Sequence, residues 1–238
     1  NYFYPDSTFE ADGFAIPQFA GDDRANALAI QPGDGKIVVA GANGEHCLVA
    51  RLLPNGLIDN TFATNGYLTF KFNNTPFDTE GTAVALQSDG KIVVGGGTAF
   101  DPCLARLLPN GNFDPAFGTG GKLVVNPADF ASIEMIQGLV IQPDQKILVL
   151  ATAWPVDGTG NWVTLAMRLL PDGSPDPSFS GDGVAEIDFQ TATSEHCTDL
   201  ILQPDGKIIA AANGNTGAVA RLLPNGTLDP AFGNAGIF

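Results

Sequence analysis

Four times along the chain a lysine-bearing turn is followed by an arginine-bearing strand and then a phenylalanine corner. The even recurrence of this set restricts the fold more than any single residue does. The turns are Asp34-Gly35-Lys36, Asp89-Gly90-Lys91, Asp144-Gln145-Lys146 and Asp205-Gly206-Lys207. The arginine segments run over 50–56, 105–111, 167–173 and 220–226, and the corners close on Phe62, Phe117, Phe179 and Phe232. Successive lysines are 55, 55 and 61 residues apart. A period of that size marks a solenoid, a propeller or another array. Units of this kind bury their apolar faces only on one another, so residues 1–238 count as one domain.

Within a unit, Ala83–Gln87 is a short apolar run, Ser88-Asp89-Gly90 interrupts it, and Lys91–Gly95 restarts it. Asp-Gly between two β-rich runs predicts a tight hairpin, in the ideal case a type I′ turn with positive φ at both central residues. Gln145 in the third unit and the extra Gly33 in the first predict looser or bulged turns there. A third strand, Leu104–Leu108, ends at Pro109-Asn110-Gly111; a corner at Asp114–Gly118 leads to a fourth strand, Lys122–Val125. No segment of helix length shows 3.6-residue periodicity, which predicts an all-β protein. The first strand of each unit is apolar on both faces and rich in small residues, as the innermost strands of propeller blades are. The expected fold is therefore a β-propeller of four four-stranded blades, with units at about 20–72, 73–125, 126–189 and 190–238 and residues 1–19 as a closing segment.

The net charge of -15 divides unevenly. Eight of the 11 Lys and Arg and nine acids occupy repeat positions, so the framework is near neutral and the variable positions carry the rest. Such a surface repels phosphate backbones and anionic bilayers, so nucleic acid is not an expected partner. No run approaches the 18 apolar residues that mark a membrane-crossing helix, and membrane insertion is not expected. Arg51, Arg106, Arg168 and Arg221 sit inside apolar strands, where an unpaired charge is costly. Each has an aspartate eight residues on, at Asp59, Asp114, Asp176 and Asp229. A bidentate pair, to that corner or to the next blade's, would satisfy both groups. Recurrence in every unit favours a structural role over a catalytic one, since a functional site is normally built once on a fold.

The pattern D-G-K-I-V-V-A-G, then A-R-L-x-P-N-G, then L-D-P-x-F-G-x-x-G resembles the bacterial delta-60 repeat. The matches at Lys36–Gly41, Ala50–Gly56 and Asp229–Gly233 are close, and the likeness covers nearly the whole chain. Gln145 and the loop from Trp154 to Trp162 depart from the pattern. The resemblance implies a propeller and export from a bacterial cell; it implies no catalytic residues and no cofactor.

In blades of this strand order, the hairpins and Phe corners fall on one face, while the second-to-third-strand loops and blade connections fall on the other. The second face does not repeat its sequence, and loops on a rigid scaffold are where recognition concentrates. Trp154 and Trp162, with Asp157, Asn161 and Asp101, form a candidate sugar or protein site there, against the plainer reading of rings packed over a blade edge. His46-Cys47 and His196-Cys197 hold the two histidines and suit zinc or copper, if four side chains from different loops converge. The scattered acids Asp22, Asp23, Asp78, Glu80, Asp101, Asp129, Glu134 and Asp157 form no EF-hand loop and read as solvated surface. Neither G-x-S-x-G, H-E-x-x-H nor a Walker loop is present. Paired carboxylates on a propeller face leave a glycosidase-like hydrolase as the weaker alternative.

The ends carry a split copy. Asp6–Phe9 with Gly13–Ile16 repeats the corner and the start of the fourth strand, and Asp229–Phe232 with Gly236–Phe238 begins the same corner again. Two closures are open: residues 14–19 complete blade four beside 218–222 in the same chain, or they do so in a neighbouring copy, joining subunits head to tail. Tyr2, Phe3, Tyr4, Phe14, Ile16 and Phe238 are the candidate assembly residues. The start at Asn1 reads as a processed or trimmed terminus, and the acidic, lysine-poor composition as that of a secreted or cell-surface protein. The expected partners are other copies or a cell-surface protein or glycan. The functional expectation is a non-enzymatic structural or interaction propeller, with a carbohydrate- or ligand-binding propeller as the alternative.

Overall fold

Sixteen strands and no helix make up the computed structural model, which describes residues 6–10, 13–15, 19, 22–73, 78–98, 101–127, 129–156, 162–189, 196–213 and 217–238. Tyr2, Phe3, Tyr4, Ile16, Asp157 and Asn161 lie outside the described residues. Blade one consists of β1 (Asp23–Ile30), β2 (Ile37–Asn43), β3 (His46–Leu52) and β4 (Tyr67–Phe70), paired antiparallel in that order. Blade two repeats the meander with β5 (Glu80–Leu86), β6 (Ile92–Gly97), β7 (Pro102–Leu107) and β8 (Lys122–Val124). Blade three has β9 (Phe130–Ile133), β10 (Gly138–Ile141), β11 (Ile147–Pro155), β12 (Val163–Leu169) and β13 (Val184–Ile187); β9 is an addition that pairs with the long end of β11. In blade four β14 (His196–Leu202), β15 (Ile208–Asn213) and β16 (Gly217–Leu222) follow. The fold is thus an all-β, four-bladed β-propeller.

The hairpins differ from the two-residue I′ turn. Gly90 N–H donates to the Gln87 carbonyl and Gln87 N–H to that of Lys91, and positive φ is confined to the glycine, +81° at Gly90 and +82° at Gly206. Three loop residues separate the strands, and the geometry is a type I turn followed by a left-handed residue. Gln145 takes the same left-handed position at φ +69°. The extra Gly33 is absorbed by widening the turn, so that Gly35 N–H reaches back to Gln31.

The core is a set of slabs between successive blades. Val38, Ala40, Val49 and Phe62 meet Ile92, Val94 and Ala105 between blades one and two. Val93, Leu104 and Phe117 meet Ile147, Val149 and Leu165 between two and three. Leu148, Leu150 and Phe179 meet Leu200, Ile208 and Ala210 between three and four. Among the described residues no comparable slab joins blade four to blade one. Small residues let the inner strands approach: a Cβ at Gly138 would sit 2.9 Å from the Leu200 side chain of the next blade.

Closure of blade four by the N-terminal strand of the same chain is corrected. The edge of β16 is taken by the C-terminus, where Ala220 bridges Ile237 and Val219 exchanges both backbone hydrogen bonds with Phe238 (2.9 and 2.8 Å). The described N-terminal residues lie on blade one instead. Glu10 N–H donates to the Asn55 carbonyl (2.8 Å), and the Phe19 ring rests 4.6 Å from that of Tyr67. Both corners carry the same sequence signal, and the C-terminal one is tethered only a few residues beyond β16, so it reaches that edge at the lower loop-closure cost.

Candidate binding face

On the repeating face each blade assembles the same charged set. Lys36 Nζ lies 3.4 Å from hairpin Asp34 and 3.1 Å from corner Asp59, whose Oδ2 also accepts from Arg51 Nε at 2.8 Å. Lys91–Asp114–Arg106, Lys146–Asp176–Arg168 and Lys207–Asp229–Arg221 repeat the arrangement. Each arginine thus pairs with the corner of its own blade. Its guanidinium carbon lies 4.7 Å over the ring of the corner phenylalanine in all four blades. The other aspartate oxygen caps the corner, as where Asp59 accepts from the Thr61 N–H and hydroxyl (3.1 and 2.6 Å).

Burial alone would raise the Asp59 and Asp176 carboxyls. Hydrogen bonds from Thr61, Lys36 and Arg51 at the first, and from Ser178, Lys146 and Arg168 at the second, outweigh it and hold both well below the usual range. Asp114 and Asp229 are shifted the same way. These carboxylates are permanently charged at neutral pH and their lone pairs are engaged. Such groups serve as scaffold and are poorly suited to move protons.

On the opposite face the two tryptophans come together. Trp154, near the end of β11, and Trp162, just before β12, stand edge to face with centroids 5.4 Å apart. Trp162 is also 6.1 Å from the His196 ring, which begins β14 of the next blade. His196 Nδ1 lies 3.2 Å from Glu134 Oε2, and the backbone N–H of Glu134 donates to the Thr152 carbonyl (2.7 Å). Thr152 ties the same spot to blade four, because its hydroxyl accepts from Cys197 N–H at 3.1 Å. The cluster therefore straddles the junction of blades three and four. His196 and Glu134 as neighbours of the tryptophans were not readable as such: Glu134 follows the added strand β9, which pairs with the Trp154 end of β11, and His196 comes from the next blade, brought in only by register across the junction. Asp101 is not part of it; Asn73 and Thr98 bind it into the blade-two loop.

The four proposed metal ligands do not converge. Among the described residues no three His, Cys, Asp or Glu side chains are arranged to hold an ion. Strand alternation turns Cys47 and Cys197 into the slabs between blades, while His46 and His196 stay at the loop ends of blades one and four, which share no core slab among the described residues. Burial pushes the Cys47 thiol well above its ordinary range and that of Cys197 up to about 12. Neither is a thiolate at neutral pH, the form that binds metal.

The repeat and its propeller geometry are those of a described class. The family model of the DUF5122 β-propeller, a domain of unknown function, matches residues 33–62, 87–117, 142–179 and 203–232, more than half of the chain. The chain belongs to this β-propeller family. No curated protein matches it. Among solved structures it is similar to virginiamycin B lyase from Staphylococcus aureus, with a TM-score of 0.51 and 14% identity over 86% of this chain and 54% of that one. It is also similar to an engineered GH43 glycoside hydrolase with endo-xylanase and exo-arabinofuranosidase activity, with a TM-score of 0.50 and 12% identity over 92% of this chain and 42% of that one. The chain thus spans about half the length of the structures it resembles. At such identities the likeness is one of fold.

Proposed function

We propose that the protein is a non-enzymatic interaction propeller of the bacterial exterior, which carries recognition residues on its non-repeating face and joins other copies at its ends. The observation that carries this reading is the division of labour between the faces. The recurring charges are consumed pairwise by the scaffold, whereas Trp154, Trp162, His196 and Glu134 meet at one place, once. A paired indole beside a carboxylate and an imidazole favours a ligand with flat apolar surface and hydroxyl groups, which makes a surface glycan the second reading.

Tryptophan fluorescence titrated with bacterial cell-surface oligosaccharides tests it. A saturable response lost in Trp162→Ala supports glycan recognition; no response to any of them leaves a protein partner. Turnover of aryl glycosides by the wild type would contradict the non-enzymatic reading.

A further inference from the structure

The slabs between blades are finished at the rim by equivalent positions that carry different side chains. Between blades one and two, Phe70 at the end of β4 stands edge to face with Phe113, their centroids 5.1 Å apart. Lys122 lays its ammonium 5.3 and 4.8 Å from these two ring centroids and donates to the Lys71 carbonyl (2.6 Å). Phe72, two residues beyond Phe70, is buried in the same slab. Register identifies the counterparts. Phe113, Pro175 and Leu228 each bridge the leucine that follows the framework arginine, and Lys122, Val184 and Ile237 each lie opposite the residue that precedes it. Between blades three and four the places of Phe70, Phe113, Lys122 and Phe72 are thus held by Ile187, Leu228, Ile237 and Phe189, all packed in one cluster.

Between blades two and three the same four places hold Val125, Pro175, Val184 and Pro127. Three rings and a lysine stem at the first junction are here replaced by two valines and two prolines, and a groove of about 390 Å³ is left. Leu123, Val125 and Pro127 line it from blade two, and Leu169, Pro175 and Val184 from blade three. Deepest is Met167, 1% exposed, where the other blades have Ala50, Ala105 and Ala220. Its unbranched thioether takes up part of the space and adapts to what enters the rest. The charged residues of the groove are Asp129 and Asp182, both exposed, and no lysine or arginine lines it among the described residues.

We propose that the groove between blades two and three receives an aromatic side chain of a partner protein, flanked by lysine or arginine that pairs with Asp129 and Asp182. The first junction shows what the space accepts: phenyl rings with an ammonium laid across them. A partner that offers a ring and a cation rebuilds at the second junction what the chain supplies for itself at the first. The ring takes the apolar walls out of water and serves as the anchor. The two carboxylates, on a chain of net charge -15, attract the cation and disfavour an acidic segment. The groove lies on the blade-two side of blade three, whereas Trp162 meets His196 of blade four. It is therefore a second recognition surface, independent of the tryptophan cluster.

The chain has two methionines, Met167 in the groove and Met135 next to Glu134, so methyl NMR of methionine-labelled protein reports on the groove with an internal control. The probe is a blocked peptide with one phenylalanine between two lysines. It shifts the Met167 methyl saturably and leaves Met135 in place. The same peptide with alanine for the phenylalanine, or glutamates for the lysines, gives no saturable shift. Val125→Phe combined with Pro175→Phe copies the ring pair of the first junction, keeps the wild-type circular dichroism and abolishes the response. Asp129→Asn with Asp182→Asn, in which asparagine can still accept from the Val184 N–H, weakens binding about fivefold. Trp162→Ala leaves the titration unchanged, which separates this result from that of the loop face. No Met167 shift up to about 10 mM peptide, equal binding of the alanine or glutamate peptide, or a Met167 shift that follows protein concentration without peptide, the mark of another copy in the groove, would overturn the proposal.

Discussion

A buried arginine in an apolar strand is tolerated here because its neighbours are arranged in advance. Corner Asp114 and the next blade's Pro171 carbonyl accept from Arg106, framework Lys91 shares the same carboxylate, and the Phe117 ring covers the guanidinium face. The eight-residue spacing of Arg and Asp made half of this set legible in the sequence. The lysine's second contact was not, because it depends on the hairpin and the corner meeting at one end of the blade. The carbonyl was not either, since a backbone acceptor leaves no residue signature. The depressed carboxyls fix an acid response. A group whose folded pKa lies below its unfolded value contributes stability that is complete above about pH 4 and is lost as the pH falls through the folded value. The gap in thermal midpoint between wild type and Asp176→Asn should therefore be widest above that pH and shrink steadily as the pH is lowered to about 2. A gap that holds constant with pH would contradict the assignment.

At the scale of elements, the turns carry the specification. Hairpin, corner and Pro-Asn-Gly turn were readable because glycine, aspartate and proline restrict the backbone at known positions. Gly173 has a second duty: at φ +96° its missing Cβ leaves room for the Phe117 ring, which would lie 2.9 Å away. Gly173→Ala should cost at least about 1–2 kcal/mol in urea denaturation, from the left-handed backbone alone. An unchanged midpoint would mean that the corner does not seat there. The assignment of the two terminal corners was beyond sequence reasoning, because 6–13 and 229–236 carry equivalent signals and only chain connectivity decides which one lies beside β16. Likewise Trp154 and Trp162 were visible as a pair, but their histidine and glutamate come from other segments, the histidine from the next blade.

At the scale of the molecule, stability is a sum of neighbour terms, since each blade buries its faces only on the next. Blades two and three are covered on both sides; blades one and four each keep one face open. Repetition and composition indicated the blades and their number; the open fourth junction could not be read, because identical units give no sign of where a ring is left unclosed. Native-state hydrogen exchange on dilute protein tests this most directly, by comparing the four equivalent second strands β2, β6, β11 and β15. The account predicts that β6 and β11 exchange slowest and β15 fastest, with β2 between them under the cover of the N-terminal segment. Equal protection of all four strands would mean a closed ring and would contradict it.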